Sequence, residues 1–152
     1  MENLQQIIQE RLTISYGSMY NPNYSFVAKS FKKQPYKKVM SEISTRLLVE
    51  DITDINYDVS FSYILKNEEL AEYSLQLSMV GRFFTLSKLG TARQVVQVLS
   101  QGFSDDEMFI LLILDDNGFL LIDESTLQLE SQLRDNGSGE RLCVYQALFT
   151  NS

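Results

Sequence analysis

The segment that decides the fold is NYDVSFSYILKNEELAEYSLQLSMV, residues 56–80. Apolar residues alternate with polar ones from Val59 to Leu65, and the alternation returns from Tyr73 to Met79 after the turn-like NEEL. Such alternation buries one face of each strand and leaves the other polar, which is typical of antiparallel sheets. The segment therefore predicts two antiparallel strands, with a bulge at Gly81 where the period breaks.

Helical spacing is found in three other places. Asn3 to Leu12 predicts a short amphipathic helix, preceding a loop rich in tyrosine. Pro35 is suited to the first position of a second helix, which carries an apolar stripe and fades near Val49. The stripe consists of Tyr36, Val39, Met40, Ile43 and Leu47. Thr91 predicts the cap of a third helix that ends at Gly102.

The second half of the chain contains a strong hairpin signal. MFILLIL and FLLID are apolar runs that flank Asp115, Asp116 and the Asn117-Gly118 pair. Asn-Gly favours a two-residue hairpin turn, and continuous apolar runs are typical of strands buried on both faces. We therefore expect a buried hairpin here. STLQLESQL predicts another strand, and RLCVYQALF predicts a last strand or a short helix.

Together these elements predict an α+β fold: a mostly antiparallel sheet of about five or six strands, in a single layer packed by two or three helices. A length of 152 residues is typical of one globular domain, so we assign residues 1–152 to one domain. The N-terminal MENLQQIIQERL has no apolar stretch of signal-peptide length, and the chain has a single cysteine. Both observations favour a cytoplasmic protein, with no membrane partner.

The missing residue types argue against an enzyme. The chain has no histidine, which removes the usual serine and cysteine nucleophile pairs and most catalytic zinc sites. Cys143 lies in an apolar run and is interpreted as a small core residue rather than a nucleophile. No phosphate-binding glycine motif is present. We expect no catalytic residue, no cofactor and no metal site.

Acidic residues concentrate between Ser104 and Glu140. This stretch contains ten acidic residues and a single basic one, Arg134. Its formal charge is therefore −9, in a chain of net charge −7. Ser104 with Glu107 resembles a capping box, so part of the clustering has a local cause. The remainder predicts a docking face for a basic protein partner. Its candidate residues are Asp105, Asp106, Glu107, Asp115, Asp116, Asp123, Glu124 and Glu130.

A basic segment offers an alternative site. KSFKKQPYKK, residues 29–38, contains five lysines and no acid. Lys37 and Lys38 are expected in the first turn of the second helix, and Lys29, Lys32 and Lys33 on the segment before it. These lysines form a candidate anion site. Because aromatic residues are interleaved with the lysines, the segment is also a candidate site for single-stranded nucleic acid. The net negative charge of the chain disfavours nucleic acid as the partner.

These observations favour a non-catalytic protein-binding module. The best hypothesis is an acidic inhibitor, of the kind found among bacterial immunity proteins and antitoxins, that neutralises a basic toxin or enzyme by direct binding. A secretion-type chaperone, possible as a dimer, is an alternative if the apolar hairpin and the tyrosine-rich loop form an exposed groove. Anion binding through the lysines and a metal-dependent hydrolase built on the carboxylates are further alternatives.

Overall fold

A six-stranded sheet with helices forms the centre of the computed structural model, which describes residues 3–150. The helices are α1 (Leu4–Tyr16), α2 (Ser25–Lys33), α3 (Lys37–Ile43), α4 (Asp105–Asp116), α5 (Glu124–Leu127) and α6 (Val144–Phe149). The strands are β1 (Leu48–Asp51), β2 (Ser60–Lys66), β3 (Glu72–Ser78), β4 (Phe83–Leu89), β5 (Val95–Val98), β6 (Leu120–Leu121), β7 (Glu130–Arg134) and β8 (Arg141–Cys143).

The sheet has the order β1-β2-β3-β4-β5 with antiparallel neighbours, and β6 adds a short parallel pairing to β4. Strands β7 and β8 form a separate two-stranded sheet. The α+β class and the antiparallel sheet of five to six strands are confirmed. The structure has more helices than the two or three expected, because the loop before Pro35 and the region after Ser104 both contain helices that the apolar patterns did not reveal.

One face of the large sheet carries the main core. Phe61 and Leu75 are buried on this face, as the alternation predicts, and Leu86 of β4 is buried beside them. The apolar stripe of α3 packs against it, and α4 adds Ile110 and Leu114. All five residues of the stripe are buried, but α3 ends at Ile43 rather than near Val49, so Leu47 lies beyond the helix. Helix α3 begins at Lys37, two residues after Pro35.

A second hydrophobic cluster joins the two ends of the chain. Leu12 and Tyr16 of α1 pack with α6, and the Tyr16 hydroxyl donates a hydrogen bond of 2.7 Å to the Ala147 carbonyl. At the C-terminus of α6, the carbonyls of Leu148 and Phe149 accept hydrogen bonds from Ser78 and Ser60 of the sheet. These serines satisfy carbonyls that a helix end leaves without partners.

The predicted hairpin around Asn117-Gly118 is wrong. Residues 105–116 form α4, which Ser104 caps, and Gly118 has a φ of 81°. The Phe119 amide donates to the Leu114 carbonyl and the Gly118 amide to the Asp115 carbonyl, which is the Schellman pattern of a helix end. The Asn-Gly pair therefore ends a helix, since positive φ suits glycine there as well as in a hairpin turn.

Two further predictions are corrected. The helix expected after Thr91 is a short 3-10 turn followed by β5, whose β-branched valines favour a strand. Gly81 lies in the connection between β3 and β4 rather than in a bulge.

The C-terminal segment RLCVYQALF contains both expected alternatives, a strand and then a short helix, and Cys143 at their junction is half-buried. Within residues 3–150, no helix has the length and apolar character needed to cross a membrane.

Candidate protein-binding surface

Helix α4 contains most of the acidic residues predicted to bind a partner. The Ser104 hydroxyl accepts a hydrogen bond from the Glu107 amide, and the Glu107 carboxylate accepts one from the Ser104 amide. This reciprocal capping box fixes where the helix begins. Three acids in its first turn also suit the positive end of the helix dipole. Local helix chemistry therefore explains part of the acidic cluster.

The outer side of α4 combines apolar and acidic side chains. Met108 and Leu112 are 41% and 56% exposed. A rotation of about 100° per residue places Asp105, Asp115 and Asp116 on the same side of the helix as these two. All three carboxylates lie on exposed residues. We call this set of five residues the α4 surface: an apolar centre with carboxylates toward both ends.

Asp106 lies on another side of α4 and has partners inside the protein. Its Oδ1 accepts a hydrogen bond of 2.7 Å from Arg46 Nε, and its Oδ2 accepts one of 3.1 Å from Asn67 Nδ2. The Arg46 guanidinium also lies 5.2 Å from the centre of the Phe109 ring. These contacts connect α4 to the segments on either side of β1 and β2, so Asp106 has a structural role.

Glu107 points into the protein and is only 5% exposed. Its Oε2 accepts a hydrogen bond of 2.8 Å from the Tyr73 hydroxyl of β3. Burial raises the pKa of Glu107, but the hydrogen bonds from Tyr73 and Ser104 outweigh it and hold the pKa below its ordinary value. Burial and the neighbouring carboxylate raise the pKa of Tyr73 to about 12. Glu107 is therefore an ionised group that fastens α4 to the sheet.

The other three predicted acids lie outside α4. The Asp123 carboxylate caps α5 and accepts hydrogen bonds from the Thr126 amide and the Ser125 hydroxyl. Hydrogen bonding to the side chain and amide of Thr126, and then to Ser125, lowers the pKa of Asp123. Glu124 is exposed in the first turn of α5. Glu130 is exposed on β7, with one carboxylate oxygen 4.0 Å from Arg141 Nη1. Of the eight predicted residues, only Asp105, Asp115 and Asp116 belong to the α4 surface.

The lysines of residues 29–38 are all exposed and lie on two helices. Lys29, Lys32 and Lys33 belong to α2, so their expected place on a connecting segment is wrong. Lys32 and Lys33 lie in the last turn of α2, where the helix dipole favours positive charge. Lys37 and Lys38 are in the first turn of α3, as expected. The helix dipole therefore favours the lysines at the C-terminus of α2 and disfavours those at the N-terminus of α3.

The aromatic residues near these lysines pack against the protein. Tyr36 is buried and lies 5.6 Å from Phe61, edge to face, and Phe31 stacks on the same ring at 6.4 Å. The half-buried Phe26 lies edge to face with Tyr16. Phe31 is still 37% exposed, but Tyr36 is buried and Phe26 is half-buried, so the lysines do not alternate with a row of exposed rings on which nucleic-acid bases could stack.

The chaperone groove was expected from an apolar hairpin and the tyrosine-rich loop. The hairpin does not form, because most of its apolar residues lie on α4. In the tyrosine-rich segment, the half-buried Tyr24 and Phe26 pack edge to face on the buried Tyr16, while Tyr20 is exposed. The groove predicted from these two elements is therefore not formed by them.

The carboxylates do not converge as a metal site requires. Among residues 3–150, no three histidine, cysteine, aspartate or glutamate side chains lie close enough together to hold a metal ion.

Comparisons with known proteins found no relative of this chain: no family model, no curated protein and no solved structure matches it.

Proposed function

We propose that this chain is a non-catalytic protein-binding module that docks a basic protein on its α4 surface. The observation that carries the proposal is the exposure of Met108 and Leu112 between the carboxylates of Asp105, Asp115 and Asp116. Protein interfaces combine an apolar centre, which supplies binding energy by desolvation, with a polar rim. A rim of carboxylates selects a partner with lysine or arginine around an apolar contact.

Within this class, we favour an inhibitor that covers the active site of a basic toxin or enzyme in the cytoplasm. The net charge of −7 supports this choice, because a negative surface accelerates encounter with a positive partner and rejects acidic ones. The firm attachment of α4 supports it as well. The contacts of Asp106 and Glu107 hold the helix in place before binding, which lowers the entropy lost in the complex.

The test compares two charge reversals of equal size. One variant carries Asp105→Lys, Asp115→Lys and Asp116→Lys; the control carries lysine at three other exposed acids, Glu10, Glu68 and Glu69. A partner isolated from native lysate is identified and purified, and its dissociation constant is measured for each variant by calorimetry at several salt concentrations.

We expect the α4 reversal to weaken binding by roughly a hundredfold or more, and the control by much less. Equal weakening by both variants would mean that only net charge matters and would refute the α4 surface. Replacing Leu112 by Ser separates the apolar contribution, since it leaves the charge unchanged. The inhibitor assignment further requires that one equivalent of the chain abolishes the partner's activity; full activity in the complex would refute it.

A further inference from the structure

The polar side of the large sheet faces a cavity that the proposed α4 surface does not include. Ser62, Gln76 and Thr85 are opposite one another on β2, β3 and β4. Ser74 and Ser87 form the next row of cross-strand partners. Ile64 and Phe83 also lie on this face, but most apolar side chains of these strands point to the opposite one, so five hydrogen-bonding side chains are grouped here.

Later parts of the chain turn this face into a pocket of about 700 Å³. Leu127 of α5 and Tyr145 of α6 line it, together with Val98 of β5 and Ile52. The Tyr145 hydroxyl donates a hydrogen bond of 3.1 Å to Gln76 Oε1 and so orients that amide. The volume is in the range of small-molecule sites, and apolar walls with a few grouped polar atoms are typical of them.

Thr85 shows that the pocket has unused hydrogen-bonding capacity. Its side chain is 3% exposed, and its Oγ1 is buried without a hydrogen-bond partner in the part of the chain that the structure describes. A buried hydroxyl without a protein partner is rare in folded proteins, and such a group commonly bonds to a bound water or ligand. This hydroxyl belongs to a residue that lines the pocket, in the same row as Ser62 and Gln76.

The charge of the pocket indicates what it binds. Within the described part of the chain, the charged residues that line the pocket are Asp58 and Glu124, with no lysine or arginine among its lining residues. Asp58 Oδ2 accepts hydrogen bonds from the Asp54 amide at 3.1 Å and the Ser62 hydroxyl at 3.4 Å. No cationic side chain among residues 3–150 forms an ion pair with Asp58. Partial burial raises the pKa of Asp58, which is the effect expected of a carboxylate that lacks a counter-ion.

We propose that this pocket binds a small aliphatic amine in its ammonium form. The ammonium group pairs with the Asp58 carboxylate and donates to serine and threonine hydroxyls on the sheet, which are suitable acceptors. The hydrocarbon part lies on Ile52, Val98 and Leu127. An anionic ligand is excluded by the two carboxylates, and a neutral one would leave Asp58 without a counter-charge.

The experiment titrates the full chain by calorimetry with three four-carbon probes: putrescine, butanediol and succinate. They have similar length and differ in charge at their ends. We expect putrescine to bind and the other two to bind at least roughly tenfold more weakly, because a hydrogen bond to a charged group is stronger than one between neutral groups. No heat with putrescine, or equal affinity for butanediol, would overturn the proposal.

Variants place the binding in the pocket. Asp58→Asn removes the charge with little change of shape, and we expect it to weaken putrescine binding by roughly tenfold or more. Thr85→Val removes the unpartnered hydroxyl and should also weaken binding, while Asp115→Asn on the α4 surface should not. Thermal unfolding without ligand checks that each variant is folded. Binding unchanged in both pocket variants, or amide shifts in NMR that map to α4 instead of Ser87, would refute the site.

Discussion

Replacing Glu107 tests whether this predicted partner-binding residue is instead a structural one. In Glu107→Ala the buried Tyr73 hydroxyl loses its acceptor, and an unsatisfied buried donor costs about 1–3 kcal/mol. The Ser104 amide also loses its half of the capping box, which adds about 1 kcal/mol because this end of α4 is partly exposed. We therefore expect the free energy of unfolding to fall by about 3 kcal/mol.

Equilibrium urea unfolding, followed by circular dichroism, measures this loss. A double-mutant cycle with Tyr73→Phe isolates the contact between α4 and β3, and its coupling energy should be about 1.5 kcal/mol or more. Ser104→Ala serves as the matched control for the cap alone, with an expected loss of about 1 kcal/mol. A loss below about 1 kcal/mol in Glu107→Ala, or no coupling to Tyr73, would refute the structural role.

The same pair predicts how stability responds to acid. The folded protein holds the pKa of Glu107 below its unfolded value of about 4.3. Its stabilising contribution is therefore complete above that value and is lost as the pH falls through the lower folded pKa. The stability difference between the wild type and Glu107→Gln should shrink in acid. A difference that grows as the pH falls would contradict the assigned direction.

Four further substitutions are expected to change stability, two by lowering it and two by raising it. Gly118→Ala should lower stability by about 1 kcal/mol in urea unfolding, because an alanine is strained at the φ of 81° that ends α4; an unchanged midpoint would contradict this. Thr85→Val should raise stability by about 1 kcal/mol, since it removes an unsatisfied hydroxyl, and a clear loss would show that the hydroxyl has a partner. At low salt, Lys33→Glu should lower the melting temperature and Lys38→Glu should raise it, because the two residues lie at opposite ends of helix dipoles. Shifts of the same sign, measured by calorimetry, would contradict the dipole effect.

Periodicity predicted the parts of the fold whose burial follows a simple repeat. The alternation around Phe61 and Leu75 and the stripe of α3 each place one set of side chains in the core, and each was confirmed. The strand predicted from Met108 to Leu114 is wrong because a continuous apolar run fits a buried strand and a helix equally well. The apolar run alone does not distinguish a helix from a strand. The capping box at Ser104 and Glu107, which is visible in the sequence, marks the start of a helix.

The sequence by itself determined the antiparallel sheet, the acidic character of residues 104–140 and the lack of histidine chemistry, because these depend on local pattern and composition. Only the tertiary structure decided which acids are accessible. It buried Glu107 against Tyr73 and left Asp115 beside the exposed Leu112 on α4. The tertiary structure also made a pocket from a sheet face that the pattern described simply as polar. The walls that close it come from Tyr145 and other residues far along the chain, whose position no local pattern specifies.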